Sequence, residues 1–279
     1  MNHLVSTYSY CALFFLLVIT GCQTSHSSPK TNSEQRAIVS TNDSLASHTA
    51  EDRAILAHRQ ILLVTTDNWD TPKGTLSLHT WDEAQQSWKQ EGEALPVLIG
   101  KKGLGWGLGM HDAREWEGPR KKEGDLKSPA GVFELGTAFG YQVEAPAFDW
   151  PYMSVVNTTM CIEDVQSHYY NQILEEGETT PDWSSTDHML RKDDLYEWGI
   201  FVSHNTGSPT PGGGSCIFIH VWREGGNGTA GCTSLDKSEL KKMLHWMDPK
   251  AQTLLVQAPK PVLSQLTSQF DYMETLVQM

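Results

Sequence analysis

The stretch SCIFIHVWREGGNGTAGCTSLD, residues 215–236, sets a histidine near the end of an apolar run and, further on, a cysteine in a glycine-flanked turn. CIFIHV (216–221) has the length and the β-branched and aromatic content of a buried strand, and REGGNG (223–228) has the composition of a loop. A chain that turns back across that loop brings Cys232 opposite His220. A thiol at its ordinary pKa is little ionised near neutrality, so a nucleophilic cysteine needs a base or a positive field beside it, and His220 can supply one. Glycine ahead of Cys232 leaves backbone N–H groups uncovered for an oxyanion. Residue type alone leaves a second reading open, because buried structural cysteines and satisfied strand histidines are common.

The same texture continues outward from this stretch. ILLVTT (61–66), TLSLHTW (75–81), LPVLIG (95–100), GVFEL (131–135), GIFVSH (199–204) and TLLVQ (253–257) are short apolar runs separated by glycine and proline. They predict a mainly β domain with a few helices. One helix is expected from Asp236, with Asp236 as N-cap, Glu239 reaching back to it, and Leu240, Met243, Leu244 and Met247 along one face until Pro249 ends it. Beyond Pro261, the residues Val262, Leu263, Leu266, Phe270, Met273 and Val277 form a second helical stripe, read as a packing face. The region after Tyr141 is too irregular to assign elements.

Composition bounds the function. With 279 residues and 39% hydrophobic content the chain can bury a core, and its formal charge of −13, from 34 acidic and 21 basic residues, repels phosphate backbones. Nucleic acid is excluded as a partner. Residues 1–22 contain an apolar run, Cys11 to Ile19, too short to span a bilayer, and end in Ile19-Thr20-Gly21-Cys22, which resembles a bacterial lipobox. Cys22 is then the lipidated N-terminus of the mature protein and a membrane anchor, although the segment ahead of the run offers His3 and no Lys or Arg. Residues 23–58, rich in Ser, Thr and Asn, read as a flexible tether that cannot bury enough apolar surface to offset its ordering entropy. The expected organisation is a signal at 1–22, the tether at 23–58, a catalytic domain at 59–258 and a C-terminal helical extension at 259–279.

The segment from His220 through TAGCTSL (229–235) resembles the catalytic signature of the L,D-transpeptidase (YkuD) family, a histidine followed by a Ser/Thr-X-Gly-Cys element. KKEGDLKSPAGVFEL (121–135) is similar to the family's stretch around Thr-Pro-x-Gly-x-Phe, with Ser128 in place of Thr, and GKKGLGWG, SHYYNQI, WSSTDHMLR and LYEWGIFVSHN add further likeness over about residues 60–258. The resemblance implies a YkuD-like β-sandwich or barrel. It also implies Cys232 as the acylated nucleophile, His220 as its base, and Thr229, Ala230 and Gly231 as the loop that presents the thiol and stabilises the oxyanion. Two departures stand out: Ala230 replaces a family histidine, and Thr233 and Ser234 stand where an arginine commonly follows the cysteine. The His-to-Cys interval is also shorter than usual, so a group that holds the donor peptide is missing or supplied from elsewhere.

The implied reaction is acyl transfer on peptidoglycan stem peptides. Cys232 attacks the carbonyl between the third residue and the terminal D-alanine, and an amine or water resolves the thioester. Neither a metal nor an organic cofactor is implied, and the histidines lack zinc-site spacing. The alternatives are a hydrolase using water as acceptor, a noncatalytic wall-binding lipoprotein, and a sortase-like enzyme, which requires an arginine downstream of the cysteine where none follows. The chain contains five cysteines. With Cys11 in the signal, Cys22 lipidated and Cys232 kept free, Cys161 and Cys216 remain as a candidate disulfide bracing the strand of His220, with two separate buried thiols as the alternative. His111 and Asp112 read as an exposed polar turn and His204 as a backbone-bonded strand end. Trp106 and Arg114 are weaker candidates for glycan or peptide contact, and Asp164 and Asn171 for loop organisation. Nothing in the sequence indicates an oligomeric state.

Overall fold

The computed structural model describes residues 58–277. The signal segment, Cys22 and the tether up to residue 57 lie outside the described residues.

Thirteen strands are described: β1 (Gln60–Thr66), β2 (Lys73–Asp82), β3 (Ser87–Leu98), β4 (Leu104–Trp106), β5 (Ser128–Gly140), β6 (Tyr152–Ser154), β7 (Thr159–Ile162), β8 (Ile173–Glu175), β9 (Thr186–His188), β10 (Trp198–Val202), β11 (Phe218–Val221), β12 (Thr233–Leu235) and β13 (Leu254–Pro259). Ten of them form one sheet, in which the order β10-β11-β12-β3-β2-β1-β13-β5 is closed by pairing of β10 with β5. The result is the expected mainly β, barrel-like fold. Closure removes the free edges that an open sheet would expose.

The central strand β1 carries ILLVTT because it is covered on both faces, pairing in parallel with β13 and antiparallel with β2. The hairpin from β2 to β3 turns at Asp82, whose carboxylate accepts the amides of Ala84 and Gln85, and at Gln86, which takes the left-handed region at φ 49°. A register shift between Leu76 and Leu78 interrupts the alternation expected of TLSLHTW. Strand β5 is long enough to serve two neighbours, with residues 131–134 on β13 and 135–140 on β10.

Two helices pack on this frame. The first, α1 (Lys237–Trp246), begins where expected: Asp236 Oδ1 accepts from the amides of Ser238 and Glu239, and Leu240, Met243 and Leu244 are buried. Glu239 does not reach back to the cap, because its carboxylate is taken by Lys242 one turn later at 2.8 Å. The second, α2 (Lys260–Thr267), is shorter than the apolar stripe suggested. The hydroxyls of Thr267 and Ser268 fold onto the carbonyls of Ser264 and Gln265, and the chain continues as a 3₁₀ helix over Asp271–Val277. Residues 259–276 are an integral part of the core rather than an appended extension. Leu263, Leu266, Phe270, Met273 and Leu276 join the main cluster, and Trp88 Nε1 donates to the Tyr272 carbonyl at 2.6 Å. His58, the last residue of the expected tether, instead has a buried ring bonded to the Gln252 carbonyl.

The irregular stretch after Tyr141 contains order that no periodicity announced. Strands β8, β7 and β9 form a separate three-stranded sheet. Cys161 of β7 is disulfide-bonded to Cys216, with Cα atoms 5.9 Å apart.

Candidate active site

Strands β11 and β12 run parallel, pairing Ile219 with Thr233 and His220 with Ser234. The expected hairpin is therefore not formed: the chain loops over the barrel rim through residues 222–232 and re-enters the sheet in the same direction. Side chains alternate along a strand, so Cys232, two residues before Ser234, shares its face, and His220 lies on that face of the neighbouring strand. Cys232, His220 and Ser234 line one cavity of about 420 Å³.

The turn that presents Cys232 is held from three sides. The Cys232 carbonyl accepts from Thr229 Oγ1 at 2.6 Å and from Ser128 Oγ at 2.9 Å. Thr229 is itself anchored beside the end of β3, its amide donating to the Ile99 carbonyl and its carbonyl accepting from the Lys101 amide. Ser128, the residue standing for the family's threonine, also accepts from the Gly100 amide at 2.8 Å. Gly231 donates its amide to Thr229 Oγ1 at 3.1 Å, which takes that N–H away from the role of oxyanion donor expected of it.

The thiol is buried among apolar neighbours. Its Sγ accepts from the Phe218 amide at 3.4 Å and lies 3.6 Å from the Cys216 carbonyl, to which the S–H donates. Burial pushes the Cys232 pKa up to about 12, against the pull of the Phe218 N–H. Burial also lowers His220 to about 4, opposed by its hydrogen bond to the Val221 carbonyl. Near neutrality the two groups are thus a neutral thiol and a neutral imidazole. A carbonyl can only accept, so His220 Nδ1 carries the proton in its 2.7 Å bond to Val221, and Nε2 keeps the lone pair that a base requires.

Several residues around this pair escaped the sequence reading. Tyr196 sets its ring against His220, with centroids 5.2 Å apart and planes at 69°. Its hydroxyl donates to Asp187 of β9 at 2.6 Å, and Arg191 lies over the same ring. Arg191 pairs with Asp193 at 2.9 Å, and Arg223 shares that carboxylate. Lys101, Arg191, Arg223 and Asn227 all line the Cys232 cavity. Tyr196 and Arg191 fell within segments similar to the family, but their approach to His220 depends on the fold.

The remaining candidates are placed as follows. Ala230 lines the cavity and brings no polar group to it. Ser234 faces the cavity, whereas Thr233 points the other way and donates to Gln257 at 2.7 Å. Cys216 does not lie on the strand of His220, as the reading of residues 216–221 as one strand expects: it precedes β11, in the left-handed region at φ 54°. His204 is buried, accepting from the Leu108 amide and donating to the Gly213 carbonyl. His111 accepts from the Val132 amide, and Asp112 is held by Arg114 well below the usual carboxylate range, so the two make no acid/base pair. Trp106 is buried with its indole N–H on the Glu117 carbonyl, and it lines, with Arg114 and His111, a second cavity of about 700 Å³. Asp164 caps a turn through Gln166 and Ser184. Asn171 donates to the carbonyls of His204 and Asn205 and accepts from the Cys216 amide. Among the described residues no group of three or more His, Cys, Asp or Glu side chains is placed to hold a metal ion.

Comparison with known proteins gives one family. A model described as the L,D-transpeptidase catalytic domain matches residues 35–257. Neither the curated proteins nor the solved structures compared with the chain give a match. With most of its length matched, and with the barrel and the nucleophile turn arranged as described, the chain belongs to the YkuD family of L,D-transpeptidase catalytic domains.

Proposed function

We propose that the protein is a cysteine acyltransferase acting on stem peptides of peptidoglycan, with Cys232 as nucleophile and His220 as base. The observation that carries this reading is that the two side chains share one face of adjacent parallel strands and open into one cavity. As substrate approaches, His220 Nε2 takes the thiol proton and the sulfur attacks the carbonyl ahead of the terminal D-alanine. The imidazolium then returns its proton to the departing amine, leaving an acyl thioester on Cys232. With the Gly231 amide engaged by Thr229, this reading gives the oxyanion to the Cys232 amide instead. An amine from a second stem resolves the thioester into a crosslink, and water resolves it into a tripeptide.

The test is D-alanine release from a disaccharide tetrapeptide, followed by mass spectrometry. Cys232→Ala and His220→Ala are each expected to lower it by at least about a thousandfold while the fold persists, since nucleophile and base act as a unit. Full activity in the Cys232 variant overturns the mechanism. A crosslinked product identifies transpeptidation, and a bare tripeptide identifies hydrolysis. We also assign the protein to the periplasm, anchored through lipid on Cys22. Cys22→Ser is expected to move it from the membrane to the soluble fraction, and continued membrane association counts against that anchor.

A further inference from the structure

The residues lining the Cys232 cavity are unlike the rest of this acidic chain. Lys101, Arg191 and Arg223 line it, and no Asp or Glu among the described residues does. The three cations are not equally available. Arg191 is committed to Asp193 through two 2.9 Å bonds and lies 3.4 Å from Asp187. Arg223 draws on the same Asp193 carboxylate, so the two guanidinium groups are met by the carboxylates of Asp193 and Asp187. Lys101 makes no ion pair among the described residues, and its side chain is exposed.

Lys101 is also firmly placed at the backbone. It follows Gly100 in a tight turn closed by the Gly103 amide on the Gly100 carbonyl at 2.7 Å, and its own amide donates to Thr229 at 2.9 Å. Its Cα is so close to the nucleophile loop that a Cβ on Gly228 would meet it at 2.8 Å. A lysine with no ion pair among the described residues is therefore rooted by its backbone beside the loop that presents Cys232, and its side chain lines the same cavity. A cavity of about 420 Å³ is near the lower end of the ~300–1,000 Å³ usual for ligand pockets.

We propose that Lys101, assisted by Arg223, is the specificity-determining residue that binds the free carboxylate of a peptide ending one residue beyond the scissile carbonyl. It stands in for the cation that Thr233 and Ser234 do not provide. The proposal rests on the acyl-transfer reading of Cys232, and it adds that the protein selects chain ends over internal bonds.

The experiment compares a tetrapeptide ending in D-alanine with the same peptide bearing a C-terminal carboxamide, using the wild-type protein, Lys101→Ala, Lys101→Arg and Arg223→Ala. A charge-assisted hydrogen bond to a partly desolvated carboxylate supports a preference of about tenfold or more for the acid. That preference is expected in KM rather than kcat, to shrink to about twofold in Lys101→Ala, and to return in Lys101→Arg. Arg223→Ala is expected to reduce it by a smaller factor. An unchanged acid-to-amide ratio in Lys101→Ala overturns the proposal. Titration of both peptides into Cys232→Ala provides a readout independent of chemistry: tighter binding of the acid, lost on adding Lys101→Ala, supports the carboxylate receptor, and equal affinities refute it. Absence of any Cys232 adduct with the wild-type protein refutes the acyl-transfer reading instead.

Discussion

At the scale of single residues, the active pair rests uncharged. Burial raises Cys232 to about 12 and lowers His220 to about 4, so the thiolate is not stored in the free protein; in the proposed acyl transfer it forms only as the donor arrives. The labelling rate of Cys232 by a small alkylating agent should accordingly be slow at neutral pH and rise about tenfold per pH unit through pH 9. Stopped alkylation followed by intact mass measures it. A plateau near pH 7 would mean a resting thiolate–imidazolium pair and would sink the neutral-pair description. The proposal of His220 as base comes from its place in CIFIHV and from the family likeness. Its lone-pair assignment does not, because that depends on the 2.7 Å bond to Val221 formed only in the folded chain.

At the scale of elements, the segment joining β10 to β11 relies on one side chain. Asn171, itself in the left-handed region at φ 63°, makes three buried hydrogen bonds that tie His204, Asn205 and Cys216 together. Cys216 in turn presents its carbonyl to the Cys232 thiol and is disulfide-bonded to β7. Replacing Asn171 by Ala removes these bonds and strands their buried partners, at about 1 kcal/mol or more each, so a loss of about 3 kcal/mol is expected. Urea unfolding reads it, and an unchanged midpoint would mean that water replaces the amide without cost. D-alanine release should fall as well, since the Cys216 carbonyl is displaced from the thiol. Asn171 was visible in sequence only as a loop residue, and nothing in its spacing pointed to residues more than thirty positions away.

At the scale of the whole molecule, four of the buried histidines dominate the response to acid, opposed by Glu163, whose carboxyl burial raises to about 7. His79, His111, His204 and His220 are each lowered to about 4, in every case mainly by burial. In the unfolded chain they titrate near 6.5, so between that value and 4 the unfolded state binds more protons than the folded one. Their depressed folded values mean that stability is complete above about pH 6.5 and is lost as pH falls toward 4, by up to about 1.4 kcal/mol per pH unit for each ring. The urea midpoint should drop steeply between pH 6.5 and 4.5, since four rings outweigh the one opposing carboxyl of Glu163. A flat profile across the acid window would show that these rings keep access to water. The strands, the first helix and the Cys232/His220 pair were legible in the sequence, because apolar run length, an Asp cap and a glycine-flanked cysteine are local signals. The parallel return of β12, the disulfide-linked three-stranded sheet, the packing of residues 259–276 into the core and the cationic mouth at Lys101 were decided only by tertiary structure. Each is a contact between segments distant in the chain, set by barrel closure and by which buried groups find partners, and no local pattern of residues encodes such a meeting.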